Sequence, residues 1–234
     1  MKVHVVNGVP SGNISKVAVI VDVFRASSTI ATALANGAES VIPFSNIRNA
    51  IRFVNAAKHR RKVVLAGERF GITPKGFDYG ASPFEMSREN IENVTIAYSS
   101  TNLTRILSRI RGRSKILIGC LNNAEAIASH ILKTHSNAVT IVVCGRKQGP
   151  FIEDLAGAGA IIDSLAAKDL TDDALVAVGL YRNPNWRSFA ERGRVAERLR
   201  SLGFDKDIGV CLAVNTTSVV PGLTRNKLVD LRPR

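Results

Sequence analysis

The sequence contains few cysteines and few aromatic residues. It has 3 Cys among 234 residues, and aromatic residues make up 6% of the chain. The cysteines, Cys120, Cys144 and Cys211, are odd in number and lack Cys-x-x-Cys spacing, which argues against a disulfide framework and against a zinc site. We therefore expect all three to be small buried hydrophobic residues.

Long apolar runs are also absent. No run approaches the roughly 20 residues that a membrane-spanning helix needs. The segment 2–6 after Met1 has neither the basic start nor the apolar stretch of a secretory signal. We therefore expect a cytoplasmic protein with no membrane partner. Hydrophobic residues still make up 45% of the chain, which argues against global disorder.

Acidic residues are outnumbered, with 19 Asp and Glu against 32 Lys and Arg, for a formal net charge of +13. Such a field favours anionic partners, whether polymers, membranes or small phosphorylated molecules. The basic clusters at 59–62, 105–115 and 187–200 lack the interleaved aromatic residues that stack on bases. In the last cluster basic residues alternate with acidic ones, a pattern that is typical of a helix exposed to solvent. We therefore expect no specific nucleic-acid partner.

Apolar, β-branched runs alternate with helix-period segments along the chain. The predicted strands are 2–6, 17–21, 63–66, 94–98, 116–118 and 139–143, and the predicted helices are 27–36, 47–59, 102–110, 122–133 and 153–167. This alternation predicts an α/β fold, layered α/β/α, with a largely parallel central sheet.

After Thr171 the pattern changes. An apolar segment spans 174–180, a charge-rich helix is predicted at 186–202, and late antiparallel or edge strands are predicted at 208–214 and 227–231. The sheet should therefore be mixed at its edges. No Pro-, Gly- and Ser-rich linker marks a boundary, so we expect one domain over 1–234, or two closely packed halves meeting near 145–170.

Polar residues follow the predicted strands directly. They are Asp22, Arg25, Glu68, Ser99, Ser100, Thr101, Asn102, Asn122, Asn123, Arg146, Lys147, Glu153 and Asp154. Ligands of open α/β sheets collect outside the carboxyl ends of the strands. Converging carboxylates suit Mg²⁺, while hydroxyls and amides at helix starts, together with Arg25, suit phosphate oxygens. The pattern predicts a metal and phosphate pocket at one sheet edge.

Structural roles are alternatives for several of these residues. Three could serve only as helix N-caps: Ser27, Thr101 and Asn122. Asp22 and Arg25 could form a structural ion pair. Glu153 lies in the first turn of a predicted helix, where the helix dipole favours an acid without any functional role.

Motifs of the common phosphate-handling enzymes are missing. There is no G-x-x-x-x-G-K-[ST] run, and Gly157-Ala158-Gly159 does not complete G-x-G-x-x-G. No Cys-x5-Arg loop exists, and an Asp-x-Asp motif fails because Phe24 follows Asp22 by two positions. The four histidines lie outside the strand-end clusters, which disfavours zinc hydrolysis and a phosphohistidine route.

Several segments, in order, resemble the 2-phosphosulfolactate phosphatases of coenzyme M biosynthesis. Residues 22–30 are similar to the family's D-V-x-R-A-[ST]-S-T-I opening, residues 67–68 and 76–83 to its G-E and G-F-D-x-G-N-S-P segments, and residues 100–102 to its [ST]-T-N-G-T turn. Further matches occur at 123–124, 144–149, 153–159 and 202–208. The resemblance spans nearly the whole chain.

The resemblance implies a Mg²⁺-dependent hydrolase that converts (R)-2-phospho-3-sulfolactate to 3-sulfolactate and phosphate. It makes Asp22, Glu68 and Asp154 metal ligands. It gives catalytic roles to Asp22 and Arg25, and to Asp78 as a fourth acid or a general acid. Phosphate-binding roles fall to Arg25 and to four polar residues: Ser28, Ser100, Thr101 and Asn102. Asn123 would hold the product side of the substrate.

The chain departs from the family pattern at three positions. Ala81 replaces an Asn, Leu103 replaces the Gly of T-N-G-T, and Asn215 stands where an acid is usual. We expect Leu103 to hinder close approach of a ligand to the backbone. Two alternatives stay open: a phosphatase of another small phosphorylated hydroxy acid, and a relative that binds an anionic metabolite without turnover. We expect a homo-oligomer with a small anionic phosphorylated substrate.

Overall fold

The computed structural model describes residues 1–57, 62–145 and 149–232. The strands there are β1 (Lys2–Asn7), β2 (Val17–Val21), β3 (Ser40–Pro43), β4 (Val63–Gly67), β5 (Thr95–Ser99), β6 (Lys115–Gly119), β7 (Ala138–Val143), β8 (Asp169–Leu170), β9 (Pro221–Thr224) and β10 (Lys227–Asp230). The helices are α1 (Ala26–Ala35), α2 (Ile47–Ala57), α3 (Pro83–Met86), α4 (Leu103–Ile110), α5 (Ala124–Lys133), α6 (Ile152–Leu165), α7 (Asp172–Arg182), α8 (Trp186–Glu191), α9 (Arg194–Ser201) and α10 (Asp205–Cys211), and Leu121–Asn123 forms a 3-10 turn.

The strands form one sheet in the order β4-β5-β3-β10-β9-β6-β2-β7-β1-β8. Strands β4, β5 and β3 are mutually parallel, and so are β6, β2, β7, β1 and β8. The hairpin β9–β10 lies between these groups and pairs antiparallel with both. Since three successive antiparallel pairings separate β3 from β6, the two parallel groups run in opposite directions.

Helices cover both faces of the sheet. Alternate residues of β2 enter different hydrophobic clusters: Val19 packs with α5 and α6, and Ile20 packs with α1 and α4. A smaller cluster places Val54 of α2 against Leu65 of β4. Every residue of β2 is buried, as expected of a strand covered on both faces.

The predicted layered α/β fold with a mostly parallel sheet is confirmed. The predicted position of the antiparallel strands, at the edges of the sheet, is wrong. The late strand predicted at 227–231 is observed as β10 and is antiparallel, but it lies in the interior of the sheet with β9. Local patterns give a strand's existence and not its neighbours, so the central insertion could not be seen in the sequence.

The prediction of a strand at 208–214 is wrong, because most of this segment lies in α10. The buried residues Ile208, Cys211 and Leu212 recur at helical spacing, although the β-branched content suggested a strand. The single helix predicted at 186–202 is two helices, α8 and α9, and the second begins after Gly193. The apolar segment 174–180 lies within α7.

Some predictions fall on residues outside the described ranges. These are Arg146 and Lys147 of the strand-end set, and His59 with its basic neighbours at the end of the second predicted helix. Within the described ranges, none of the helices has the length and apolar character needed to span a membrane.

Candidate functional site

A cavity of about 720 Å³ lies where the segments after β2, β4 and β5 meet α9. Its charged lining consists of two carboxylates and four arginines: Asp22, Glu68, Arg25, Arg105, Arg194 and Arg198. Thr101 and Asn102 add polar groups, and Phe24, Phe70 and Phe151 add apolar wall. A concave site with a few convergent polar groups is the usual form of a small-molecule site.

The sequence predicted a pocket at one common edge of the sheet, but the cavity does not lie at such an edge. Asp22 follows β2 and Glu68 follows β4, and these strands belong to groups that run in opposite directions. Contacts between loops bring the residues together. The backbone N–H of Leu103, at the start of α4, lies against the Asp22 carboxylate, and the guanidinium of Arg25 donates to the carbonyl of Gly71 at 2.8 Å.

Asp22 is buried at the base of the cavity. Its backbone N–H donates to Ser27 Oγ at 2.9 Å, which fixes the turn into α1. Burial, and after it the neighbouring Glu68 carboxylate, raises the pKa of Asp22 from 3.8 to about 7. A carboxylate held against another in this way would gain from a nearby cation.

Arg25 is a buried cation whose guanidinium is held rigidly. Its Nη1 donates to Asp207 Oδ2 at 2.8 Å, and Nη2 donates to the Gly71 carbonyl. The guanidinium carbon lies 4.1 Å from the ring centre of Phe204, a cation–π contact. The ion-pair partner of Arg25 is therefore Asp207, and the pair with Asp22 that the sequence left open is not formed.

Glu68 organises a tight turn at the mouth of the cavity. Its Oε2 accepts from the N–H of Gly71 at 2.7 Å and from the Thr101 hydroxyl at 3.0 Å, and its Oε1 accepts from the N–H of Thr101 at 2.6 Å. Phe70 occupies this turn with a positive φ of 54° and is 73% exposed. Its own N–H donates to the Thr101 hydroxyl at 3.0 Å, so the carboxylate of Glu68 ties the turn to the loop before α4.

The loop before α4 contains one residue that caps the helix and two residues that line the cavity. Ser100 Oγ accepts from the N–H of Thr104 at 3.2 Å and is buried outside the cavity. Thr101 and Asn102 line the cavity. The Asn102 side chain makes no capping hydrogen bond to α4, which leaves its amide available to a ligand. Thr101 is thus not merely a helix cap.

Asp154 lies beneath the cavity rather than in its wall. Its Oδ1 accepts from the N–H of Val23 at 2.7 Å, and its carboxylate also faces the backbone N–H of Cys144. It thereby joins the ends of β2 and β7. Burial raises its pKa well above the ordinary value, and the neighbouring Glu153 and Asp22 carboxylates add to this shift. Burial likewise raises the pKa of Glu153 to about 8.

Three other predicted site residues make local structural contacts and are not among the cavity-lining residues. Asp78 Oδ2 accepts from the N–H of Leu65 at 2.7 Å. The Ser28 hydroxyl donates to the Val23 carbonyl at 3.0 Å. Asn123 is fully buried, and its amide donates to the carbonyls of Ile118 and Val219 at 3.3 and 3.1 Å.

The three departures from the family pattern also lie outside the cavity lining. Leu103 is fully buried in a hydrophobic cluster, so its side chain leaves the cavity free, contrary to the expected hindrance. The carbonyl of Ala81 accepts from the Thr29 hydroxyl at 2.8 Å. Asn215 Oδ1 accepts from the N–H of Glu125 at 3.0 Å.

No functional role was predicted from the sequence for Asp207 or for three of the cavity arginines. Asp207 entered only as part of the family match at 202–208, with no role of its own, and its counterion is 182 positions away. Arg105 belongs to the basic cluster at 105–115, which was given no role for lack of interleaved aromatic residues, and Arg194 and Arg198 belong to the cluster at 187–200, which was interpreted as a solvated helix. Arg194 and Arg198 are four residues apart on α9 and therefore share a helix face, which is the one signal that could have grouped them.

The structure is that of an α/β protein with a cavity lined by four arginines and two carboxylates, a charge pattern suited to a small phosphorylated molecule. A family model described as 2-phosphosulpholactate phosphatase matches residues 3–226. A "Probable 2-phosphosulfolactate phosphatase" of Carboxydothermus hydrogenoformans is 38% identical over 209 residues, covering 88% of this chain and 85% of the relative. One of the same name from Caldanaerobacter subterraneus subsp. tengcongensis is 36% identical over 212 residues, covering 88% and 86%. The chain belongs to the 2-phosphosulfolactate phosphatase family.

Proposed function

We propose that this protein hydrolyses the phosphate ester of (R)-2-phospho-3-sulfolactate to 3-sulfolactate and phosphate, with Mg²⁺ as cofactor. The observation that carries the proposal is the cavity that Asp22 and Glu68 line together with Arg25 and three further arginines. The names of the relatives support the substrate. A phosphoester with a carboxylate and a sulfonate suits a cavity with this excess of cations.

Asp22 and Glu68 are the residues that we propose to hold Mg²⁺. The ion commonly takes one or two carboxylates and fills its other positions with waters and substrate phosphate oxygens. Asp154 lies outside the cavity lining, and its Oδ1 already accepts from the N–H of Val23, so it is not proposed as a direct ligand. When bound, the ion polarises the phosphoryl oxygens and offsets their charge.

The chain's own groups would bind and orient the phosphate. Arg25 is held by Asp207, Gly71 and Phe204, so its charge is fixed before the substrate enters and costs little reorganisation as negative charge develops. The Asn102 amide, at the start of α4, offers a further donor.

We propose that water is the nucleophile. Ser28 and Ser100 lie outside the cavity lining, and the Thr101 oxygen already donates to Glu68 and accepts from Phe70. The water oxygen forms a bond to phosphorus, the bond from phosphorus to the C2 oxygen breaks, and that oxygen takes a proton. We also place the enzyme in the cytoplasm, which its three free buried cysteines support.

The test is phosphate release from 2-phospho-3-sulfolactate and from a panel of other phosphorylated hydroxy acids, with Mg²⁺ and with EDTA. Asp22→Asn is the inactive variant, and Asp169→Asn, an exposed acid on β8, is its matched control. We expect Mg²⁺-dependent release that only Asp22→Asn abolishes. Turnover confined to another panel member would replace the substrate, and binding without any turnover would leave an anion-binding protein.

A further inference from the structure

We propose that Arg105, Arg194 and Arg198 form an arginine wall that binds the two substrate acid groups that do not react, the carboxylate and the sulfonate. The wall would thereby select polyanionic phosphoesters over simple ones. This inference rests on the proposed function and extends it to substrate selection.

The arginine wall is built from two distant parts of the chain. Arg105 lies on α4, and Arg194 and Arg198 lie one turn apart on α9. All three side chains are exposed yet line the cavity. Their heads are therefore accessible to a ligand that enters from solvent.

Among the residues that the structure describes, these arginines have no acidic partners. Across the described ranges none of the three takes part in an ion pair, whereas Arg187 pairs with Glu191 at 3.0 Å. A surface guanidinium without a counterion is free to form charge-assisted, two-pronged bonds with a carboxylate or sulfonate.

Arg25 cannot take over this task. In the proposed function Arg25 binds the phosphate, and its counterion Asp207 already balances its charge. Set against the two carboxylates of Asp22 and Glu68, the three cations of the arginine wall leave a surplus of one positive charge in the cavity. When the phosphate of a three-carbon substrate lies near Arg25, its carboxylate and sulfonate can contact the positively charged arginine wall.

The experiment compares three substrates that differ only in their acid groups: 2-phospho-3-sulfolactate, 2-phospholactate and isopropyl phosphate. The variants are Arg105→Gln, Arg194→Gln and Arg198→Gln. Matched controls are Arg109→Gln on α4 and Arg200→Gln on α9, both exposed and outside the cavity lining.

Each wall variant should raise KM for 2-phospho-3-sulfolactate about tenfold, with kcat largely kept, since one charged hydrogen-bonding group is lost. The effect should shrink for 2-phospholactate and vanish for isopropyl phosphate, and the controls should behave as wild type. Equal losses on all three substrates, or equal effects in the controls, would overturn the proposal.

Failure of the proposed function can be told apart from failure of the arginine wall. If the wild type releases no phosphate, calorimetric titration with 3-sulfolactate measures the wall alone. Binding about tenfold weaker in the wall variants than in Arg109→Gln and Arg200→Gln supports the wall without catalysis. Binding that is absent, or unchanged by the variants, refutes it.

Discussion

Arg25 and Asp207 form a fully buried ion pair, with Nη1 of the arginine 2.8 Å from Oδ2 of the aspartate. The same carboxylate accepts from the Ser82 hydroxyl at 2.6 Å and from the N–H of Phe84 at 3.2 Å. Asp207 therefore ties α10 to the segment before α3 and to the base of the cavity at once.

Asp207→Asn should lower the free energy of unfolding by about 3 kcal/mol, because the Arg25 charge stays buried without its counterion. Urea denaturation measures this loss. Asp205→Asn, an exposed acid on the same helix, should change it little. Equal, small losses in both variants would contradict a structural role for the ion pair.

Asp22→Asn should stabilise the metal-free protein at high pH while it abolishes activity. The pKa of Asp22 is raised from 3.8 to about 7, so below pH about 4 the carboxyl is protonated in both the folded and the unfolded state. Between these values only the unfolded state loses the proton, and stability falls as pH rises. Asp22→Asn has no carboxyl group at this position, so its stability does not fall in this way as pH rises.

Unfolding midpoints in EDTA between pH 4 and 8 test this pH dependence. The gain of Asp22→Asn over wild type should be near zero at pH 4 and largest above pH 7, whereas Asp169→Asn should show no such trend. A gain that is independent of pH would contradict the raised pKa. Added Mg²⁺ should narrow the gap at pH 8 by stabilising only the wild type.

Phe70→Gly should raise stability and lower activity. A bulky residue at φ 54° is strained, and relieving this strain should add about 1 kcal/mol to the free energy of unfolding. Loss of the ring opens the cavity mouth to water and should lower kcat/KM about tenfold.

Arg225→Gly is the matched control for Phe70→Gly. Arg225 also has a positive φ, 58°, in the exposed β9–β10 turn. The Arg225→Gly variant should show a similar rise in the free energy of unfolding, with kcat/KM unchanged. Equal activity in both variants would show that the Phe70 ring does not contribute to the site.

Tyr98→Phe should raise the free energy of unfolding by about 1 kcal/mol. The Tyr98 hydroxyl is buried and makes no well-aligned hydrogen bond within the described ranges. The neighbouring Thr29 hydroxyl already donates to the carbonyls of Arg25 and Ala81, so removing the Tyr98 oxygen removes a desolvation cost. Tyr79→Phe is the comparison, since that hydroxyl is near Glu89 at 3.4 Å and more exposed. A loss of stability in Tyr98→Phe would reveal a partner for its hydroxyl.

Local sequence patterns predicted much of the fold. Buried runs such as 17–21 and 139–143 formed parallel strands because their hydrophobic content requires burial on both faces. The central place of β9 and β10 was not predictable, because strand order depends on contacts between distant segments. The same limit hid the Arg25–Asp207 pair.

The candidate site was predictable in part for the same reason. Asp22, Arg25, Glu68, Thr101 and Asn102 follow strands directly and line the cavity. The cavity arginines of α9 come from a helix whose place over the site depends on tertiary packing. Charge in the sequence showed that an anion is favoured, but not which arginines face it.

The β9–β10 hairpin has a consequence for the order in which the chain folds. Residues 221–230 occupy the middle of the sheet, so during synthesis both parallel groups are complete before the segment that joins them leaves the ribosome. Until then each group has an unpaired inner edge, and such edges invite pairing with other chains. The nascent chain is thus prone to aggregation until residues 221–230 have emerged, and chaperone engagement up to that point would protect it.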